Sequence, residues 1–293
     1  MTYLRREIDL KFQLGEGDFG AAGVDTVEVT GLRVACNIQK NGDASYSRAS
    51  LKVYGLTLST MNKLSTLGKP LVDGRNNTVT VTAGDANGKA VVFSGTITEA
   101  WVDGANAPEV SLSVEAYVGL IDALKPLPAS SFKGSVDAAT IVASIAQQTG
   151  RNFENGGVEG VTLTNPNYPG TGRQQLESVA RDGGFNLFID DVTNAVAIWP
   201  RDGVRGGQIP LINAQTGLVG FPTHTENGIL ITSLFNPAIV FGRAVRVESI
   251  LTPAAGTWSV FAVSHDLESL APGGAWFTRA QCNVFGMVAI ARQ

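Results

Sequence analysis

The chain is poor in the residues that carry chemistry. Two histidines, His224 and His265, and two cysteines, Cys36 and Cys282, are all of these types in 293 residues. A nucleophile paired with a general base is hard to assemble from that set, and no Gly-x-Ser-x-Gly elbow occurs. Two isolated cysteines exclude a disulfide framework, and without a C-x-x-C pair they give no zinc or redox motif. Charge is also scarce: 16% of residues are Asp, Glu, Lys or Arg, against roughly 25% in soluble globular chains. A small exposed surface per residue would explain the deficit, as would large surfaces buried against partners. The net charge of −4 argues against a dedicated DNA binder, which needs clustered Lys and Arg. No run approaches the roughly 18 apolar residues of a membrane span. The opening MTYLRREIDLKF has no apolar signal core, so synthesis and folding in the cytoplasm are expected.

What the chain has instead is alternation and punctuation. The 34 glycines sit largely between apolar alternations, where turns need positive φ. From Arg5 to Ala116 the period is close to two, and Thr26–Gln39, Ser45–Tyr54, Thr78–Ala83, Ala90–Trp101 and Glu109–Ala116 read as strands. Turn pairs at Asn41-Gly42, Asp73-Gly74, Asn87-Gly88 and Asp103-Gly104 suit hairpins. One helix interrupts them, capped by Ser59 over Thr60–Leu67 and ended by Gly68 and Pro70. Ser135-Val136-Asp137 then opens a run of period 3.6, with Ala139, Ile141, Val142, Ile145 and Ala146 on one face and Gly150 at its end. A second helix is expected over Gln174–Asp182, followed by strands Phe185–Ile189 and Ala195–Trp199 joined through Asp190–Asn194. Alternation returns in Gln208–Asn213, Thr225–Ser233, Ala244–Ile250, Thr257–His265 and Ala275–Val284. The fold class is mainly β with α+β. Two small antiparallel barrel-like domains, 1–124 and 206–293, flank an α+β module at 125–205, and the second barrel takes strands from the middle region.

Several motifs resemble active-site signatures and are read otherwise. Gly15-Glu16-Gly17-Asp18-Phe19-Gly20 fits both a dinucleotide fingerprint and a kinase glycine-rich loop. The following Ala21–Thr30 reads as strand, so no helix N-terminus would face a phosphate, and neither histidine precedes Arg-Asp as a kinase requires. Asp190-Asp191 falls in a turn, where Asp is favoured for local hydrogen bonding. Both histidines fit polar strand positions. Trp101, Trp199, Trp258 and Trp276 fit core or interface anchors. Every Lys lies at or before Lys133, and the later cations are all Arg, the cation favoured at buried interfaces. No catalytic, cofactor-binding or metal-binding residue is assigned.

Three stretches together resemble the central hub protein of contractile-tailed phage baseplates. The first is Ala49-Ser50-Leu51-Lys52-Val53-Tyr54-Gly55-Leu56, with Thr60-Met61-Asn62-Lys63-Leu64 and Gly68, then Ala83-Gly84 and Val92-Phe93-Ser94-Gly95-Thr96-Ile97. The second is Phe132-Lys133-Gly134 before the helix with Ala146 and Gly150, then Gly183-Gly184. The third is Thr216-Gly217-Leu218-Val219-Gly220-Phe221-Pro222, then Phe235-Asn236-Pro237, Gly242, Gly256-x-Trp258-x-Val260, His265-Asp266-Leu267-Glu268-Ser269 and Gly273-Gly274-x-Trp276. Type VI secretion spikes use a related fold. The resemblance implies two tail-tube-like domains per chain and a homotrimer, giving a pseudo-sixfold ring. That ring would join the hexameric tail tube to the trimeric spike, beside the baseplate wedge proteins. Its channel would pass the tape measure protein and then genomic DNA without specific binding. The implied location is the virion tail baseplate, after synthesis in the host cytoplasm. Mild acidity suits a channel along which DNA slides. Two rival readings predict other features. A peptidoglycan hydrolase requires two carboxylates converging in a cleft. A glycan- or receptor-binding tail protein requires an exposed aromatic patch at a domain tip.

Overall fold

The computed structural model describes residues 5–20, 23–42, 46–68, 76–105 and 107–284. The expected Asp73-Gly74 turn and the helix stop at Pro70 lie outside the described residues. The fold is mainly β and largely antiparallel, and the chain divides into two compact units. One unit comprises residues 1–40, 46–118 and 264–277; the other comprises 41–45, 119–263 and 278–293.

The first unit is built on β1 (Glu7–Gln13), β2 (Thr26–Val29), β3 (Val34–Asn41), β4 (Arg48–Tyr54), β5 (Thr78–Asp85), β6 (Gly88–Asp103) and β7 (Ser111–Tyr117). They pair antiparallel in the order β2-β1-β5-β6-β7-β4-β3. Residues 264–269 of a later strand lie beside β3, where Ser269 Oγ accepts from Val34 N at 3.1 Å. Alternation sets the inside: Ile8, Leu10 and Phe12 on β1, Val34, Cys36 and Ile38 on β3, and Leu51 and Val53 on β4 are all buried. Each such side chain contributes about 1.5–3 kcal/mol when fully removed from water, and period two puts all of them on one face.

The expected strand Thr26–Gln39 is in fact two strands. Gly31 at φ +67° turns the chain between β2 and β3. The short helix, α1 (Leu58–Leu64), begins earlier than Ser59 suggested, because Thr57 supplies the cap: its Oγ1 accepts from Thr60 N at 3.2 Å. Met61 and Leu64 are its buried face. The helix stops at Leu64, so Leu67 is left exposed.

The second unit opens with α2 (Leu120–Leu124), β8 (Pro126–Ser131), β9 (Ser135–Asp137), α3 (Ala138–Gln148), β10 (Asn152–Asn155), β11 (Thr162–Thr164), β12 (Asn167–Thr171), α4 (Gly172–Gly183), β13 (Phe185–Asp190) and β14 (Ala195–Pro200). Asp137 caps α3, accepting from Ala139 N at 2.7 Å. The α3 face toward the core is Ala138, Ile141, Val142, Ile145 and Ala146; Ala139, expected there, is only half-buried. Thr171 and Gln174 close a capping box on α4, which satisfies two amides with no partner inside the helix. Gln175 of α4 is fully buried. It donates to Pro128 O and Gly170 O and meets Ser130 Oγ at 2.6 Å, so it ties the β8–β12 pair to the helix.

The remaining strands are β15 (Leu211–Ile212), β16 (Thr223–Thr225), β17 (Gly228–Leu234), β18 (Ala244–Val247), β19 (Gly256–Ser269) and β20 (Trp276–Val284). The order is β16-β17-β20-β19, with β18 on β19 and β15 parallel to β18. Ile229, Ile231, Val245, Val247, Trp258 and Val260 form the core here. Trp258 Nε1 donates to Ala254 O at 3.0 Å, which satisfies the one polar group of that ring. Burial along β19 changes parity: Trp258 and Val260 point in before Phe261–Ala262, and Val263, His265, Leu267 and Ser269 point in after it. No pairing among the described residues closes either ladder into a ring. Nor is any helix among them long and apolar enough to cross a membrane.

A cationic side chain lies wholly inside the second unit. Arg205 has no exposed surface. Its Nε and Nη2 donate to both carboxylate oxygens of Glu154 at 2.8 and 2.6 Å, and its Nη1 donates to Asp190 Oδ2 at 2.6 Å. Breaking a buried ion pair on one side typically costs about 3–5 kcal/mol. Arg205→Ala should therefore destabilise the second unit by about that amount in chemical denaturation, and neutralising the whole cluster, Arg205→Met with Glu154→Met and Asp190→Asn, should recover most of the loss.

A second expected outcome concerns pH. Burial first, and the Lys40 charge second, push the His265 imidazole from 6.5 down to about 3. The neutral ring is the folded form. Its contribution is fully present above the unfolded pKa and is lost as pH falls from 6.5 toward 3, with a limiting slope of about 1.4 kcal/mol per pH unit. Denaturation midpoints measured between about pH 6.5 and 5, above the usual carboxylate range, should fall for the native chain and fall less for His265→Gln.

Candidate interaction site

The residues singled out from sequence do not converge. The Gly15–Gly20 loop joins β1 to β2 with no helix after it. His224 is exposed on β16, and His265 is buried on β19. Burial raises the Cys36 thiol far above its ordinary range and the Cys282 thiol to about 12, so neither is a thiolate near neutral pH. Trp199, Trp258 and Trp276 are buried, whereas Trp101 on β6 is 38% exposed. Among the described residues, no group of three or more His, Cys, Asp or Glu is arranged to hold a metal ion.

Asp190 forms the expected turn contact, with Oδ1 accepting from Val192 N and Thr193 N at 2.9 and 3.2 Å. Its other oxygen serves Arg205, a role sequence reasoning missed. Glu154 and Asp190 do converge, but on a guanidinium rather than on an open cleft. Hydrogen bonding from Arg205 holds the Glu154 carboxyl below its usual value. A carboxylate pair neutralised in this way is poorly suited to proton transfer.

The features open to another molecule are an edge, a groove and a cleft. Strand β16 pairs only with β17, so its other edge is unpaired among the described residues. Such edges are templates for another strand. Beside it lies an apolar groove of about 530 Å³, with Trp258 and Ile229 among its lining residues and Leu251 and Val284 more exposed at its rim.

The cleft, of about 370 Å³, lies on the outer face of β19 and β20. Ser259 and Phe261 come from β19, and Gln281 and Asn283 from β20. Asn186, Trp199 and Phe241 stand opposite. Phe241 stacks on Phe188 at 4.6 Å between centroids and meets Trp199 edge-on at 6.1 Å. Two glycines allow this packing. A Cβ on Gly42 would fall 2.2 Å from the Phe241 ring, and one on Gly242, at φ +80°, would fall 2.7 Å from Trp199. Asn283 is 5% exposed, and its buried Oδ1 has no hydrogen-bond partner among the described residues. The lining sets side-chain amides, the Ser259 hydroxyl and Arg201 beside aromatic and aliphatic side chains.

With that geometry established, the chain can be set beside known proteins. No curated protein matches the sequence. The fold is similar to the 43 kDa tail protein of prophage MuSo2 from Shewanella oneidensis, at 10% identity and TM-score 0.59, covering 95% of this chain and 98% of that one. It is similar to a tail protein from Neisseria meningitidis MC58, at 9% identity and TM-score 0.61, covering 96% and 98%. A third similar structure is the Escherichia coli c3393 protein, described as a type VI secretion system component resembling the T4 tail proteins gp27 and gp5. It shares 9% identity at TM-score 0.54, covering 95% of this chain and 79% of that one. At such identities the likeness concerns the fold alone. The family comes from sequence: the model of the family "Baseplate hub gp41" matches residues 10–280. The chain belongs to the baseplate hub gp41 family.

Proposed function

We propose that this chain is a structural subunit of a phage baseplate hub. It acts as a homotrimer that joins the hexameric tail tube to the trimeric spike in a contractile tail. The observation that carries the reading is the family match over residues 10–280, on a chain whose described residues are mainly β. In this reading residues 1–124 and 206–293 are the two tube-like barrels, without a continuous hydrogen-bonded ladder around either, and 125–205 is an α+β module outside the ring. Residues 264–277, which group with the first unit, are strands of the second barrel region lent to the first. Unpaired edges such as β16 and the apolar groove beside it are the kind of surface that subunit contacts consume. A heterologous contact that closes after three steps limits runaway polymerisation.

Tape measure protein and then genomic DNA pass through the channel, and baseplate wedge proteins surround it. The low charge content fits broad subunit burial, and the −4 net charge fits a lumen richer in Asp and Glu than in Lys and Arg. The subunit's work is scaffolding, not catalysis, since Glu154 and Asp190 are spent on Arg205.

Two measurements test the proposal. Native mass spectrometry of the chain with its spike should give three copies of the 30.7 kDa subunit, and imaging of the tail tip should place them on a threefold axis. Any other copy number, or a channel lined by residues 125–205, rules out the trimeric ring. Purified protein should leave peptidoglycan intact in a zymogram. Clearing that disappears on changing one Asp or Glu would replace the scaffold reading with a hydrolase.

A further inference from the structure

The cleft on the outer face of β19 and β20 has a feature that packing does not explain. Strand β20 alternates: Trp276, Thr278, Ala280 and Cys282 point inward, and Arg279 and Gln281 point outward. Asn283 belongs to the outward set, yet only 5% of it is exposed. Among the described residues, the surrounding wall covers it without supplying a hydrogen bond to Oδ1. A buried amide oxygen left unpaired is destabilising, so a polar group there calls for a reason beyond stability.

Three properties define the complementary molecule. The first is the type of polar group. Asn41, Asn186, Gln281 and Asn283 line one cleft. A side-chain amide carries one acceptor and two donors side by side, the same pairing of groups that an extended main chain presents. Asn186 already uses Nδ2 on Pro200 O and Arg201 O at 3.0 and 3.3 Å, so it retains an acceptor. The second property is the state of the rings. Trp199 and Phe241 are 4% and 8% exposed, so neither offers the open face on which a sugar ring stacks, which favours a peptide over a saccharide. The third is charge. Arg201 is the only ionisable residue among the lining groups, so nothing here selects a strongly charged ligand. The volume of about 370 Å³ lies at the small end of ligand-site sizes, roughly 300–1,000 Å³.

We propose that this cleft docks an extended, uncharged segment of polypeptide from another protein. The side-chain amides of Asn41, Asn186 and Gln281 read its main chain, Asn283 turns its covered amide out of the wall to join them, and one of the segment's small apolar side chains rests against Phe261. The site is independent of whether the subunits form a threefold ring.

The full chain labelled with 5-fluorotryptophan tests this by fluorine NMR, with the Trp199 signal assigned from Trp199→Phe. The probes are N-acetylated, C-amidated pentapeptides of Ala and Ser with a central Val or Leu, titrated into the millimolar range. Glucose, galactose and N-acetylglucosamine are titrated in parallel. The peptides should shift the Trp199 signal saturably and the sugars should not. Asn283→Leu should weaken the peptide at least tenfold without lowering the melting temperature, which a purely structural asparagine would not allow. Gln281→Ala, at an exposed strand position, should weaken it at least threefold and leave the fold intact, which decides the matter if Asn283→Leu fails to fold. A shift with sugars alone, no shift with any peptide, or unchanged affinity in both variants overturns the proposal.

Discussion

The arrangement of the second unit hinges on one fully enclosed guanidinium. Arg205 sits in the connection between β14 and β15, and its three hydrogen bonds reach β10 through Glu154 and the end of β13 through Asp190. Desolvating such an ion is expensive, and only good geometry on all sides repays the cost. The three segments are therefore placed together or not at all. Asp190 couples this further, since its other oxygen organises the β13–β14 turn. A Lys at this place would supply a point charge in place of the planar fork that engages two carboxylates at once. The absence of Lys beyond residue 133 is consistent with that demand at this one position.

Below the ion cluster, the architecture follows from burial on one face. Strands such as β1, β3, β4 and β17 carry strict alternation because each has one side against a core, and that signal is visible in the bare sequence. Helices α3 and α4 were visible for the same reason at period 3.6, with Asp137 marking the start of α3 and Gly184 the end of α4. The segments β8 to β12 were not legible apart from their helix. They are three to six residues long, and β8 and β12 contain prolines, so too few alternations accumulate to stand out. Arg205 was illegible for a different reason. Its partners lie 15 and 51 residues away, and nothing in Asp202-Gly203-Val204-Arg205 marks one cation as buried. Asn283 reads as an ordinary outward residue of β20, and only the tertiary cover makes it unusual.

These features give the chain a division of labour. Apolar packing supplies stability in both units, since Leu10, Phe12, Leu51 and Leu112 in one and Ile141, Ile145, Ile231 and Val245 in the other are almost wholly removed from water. Polar groups in the interior act as locators: Gln175 fixes α4 on β8 and β12, and Ser269 fixes β19 on β3. Such interior packing belongs here to a member of the baseplate hub gp41 family.

The discontinuity of the first unit has a consequence for how the protein is made. Residues 264–277 complete a unit that otherwise ends at Val118. At about 5–20 residues per second, the amino-terminal ladder waits on the order of 10–30 s for its last segment to be synthesised. During that interval the β3 edge stays bare, and the usual vectorial order, in which an early domain folds before a later one emerges, is not available. Completion of the first unit is thereby tied to the synthesis of residues 264–277. A prematurely terminated chain lacks the closing segment of a core it began near its start. Products that stop before residue 264 therefore cannot carry a finished first unit into an assembly.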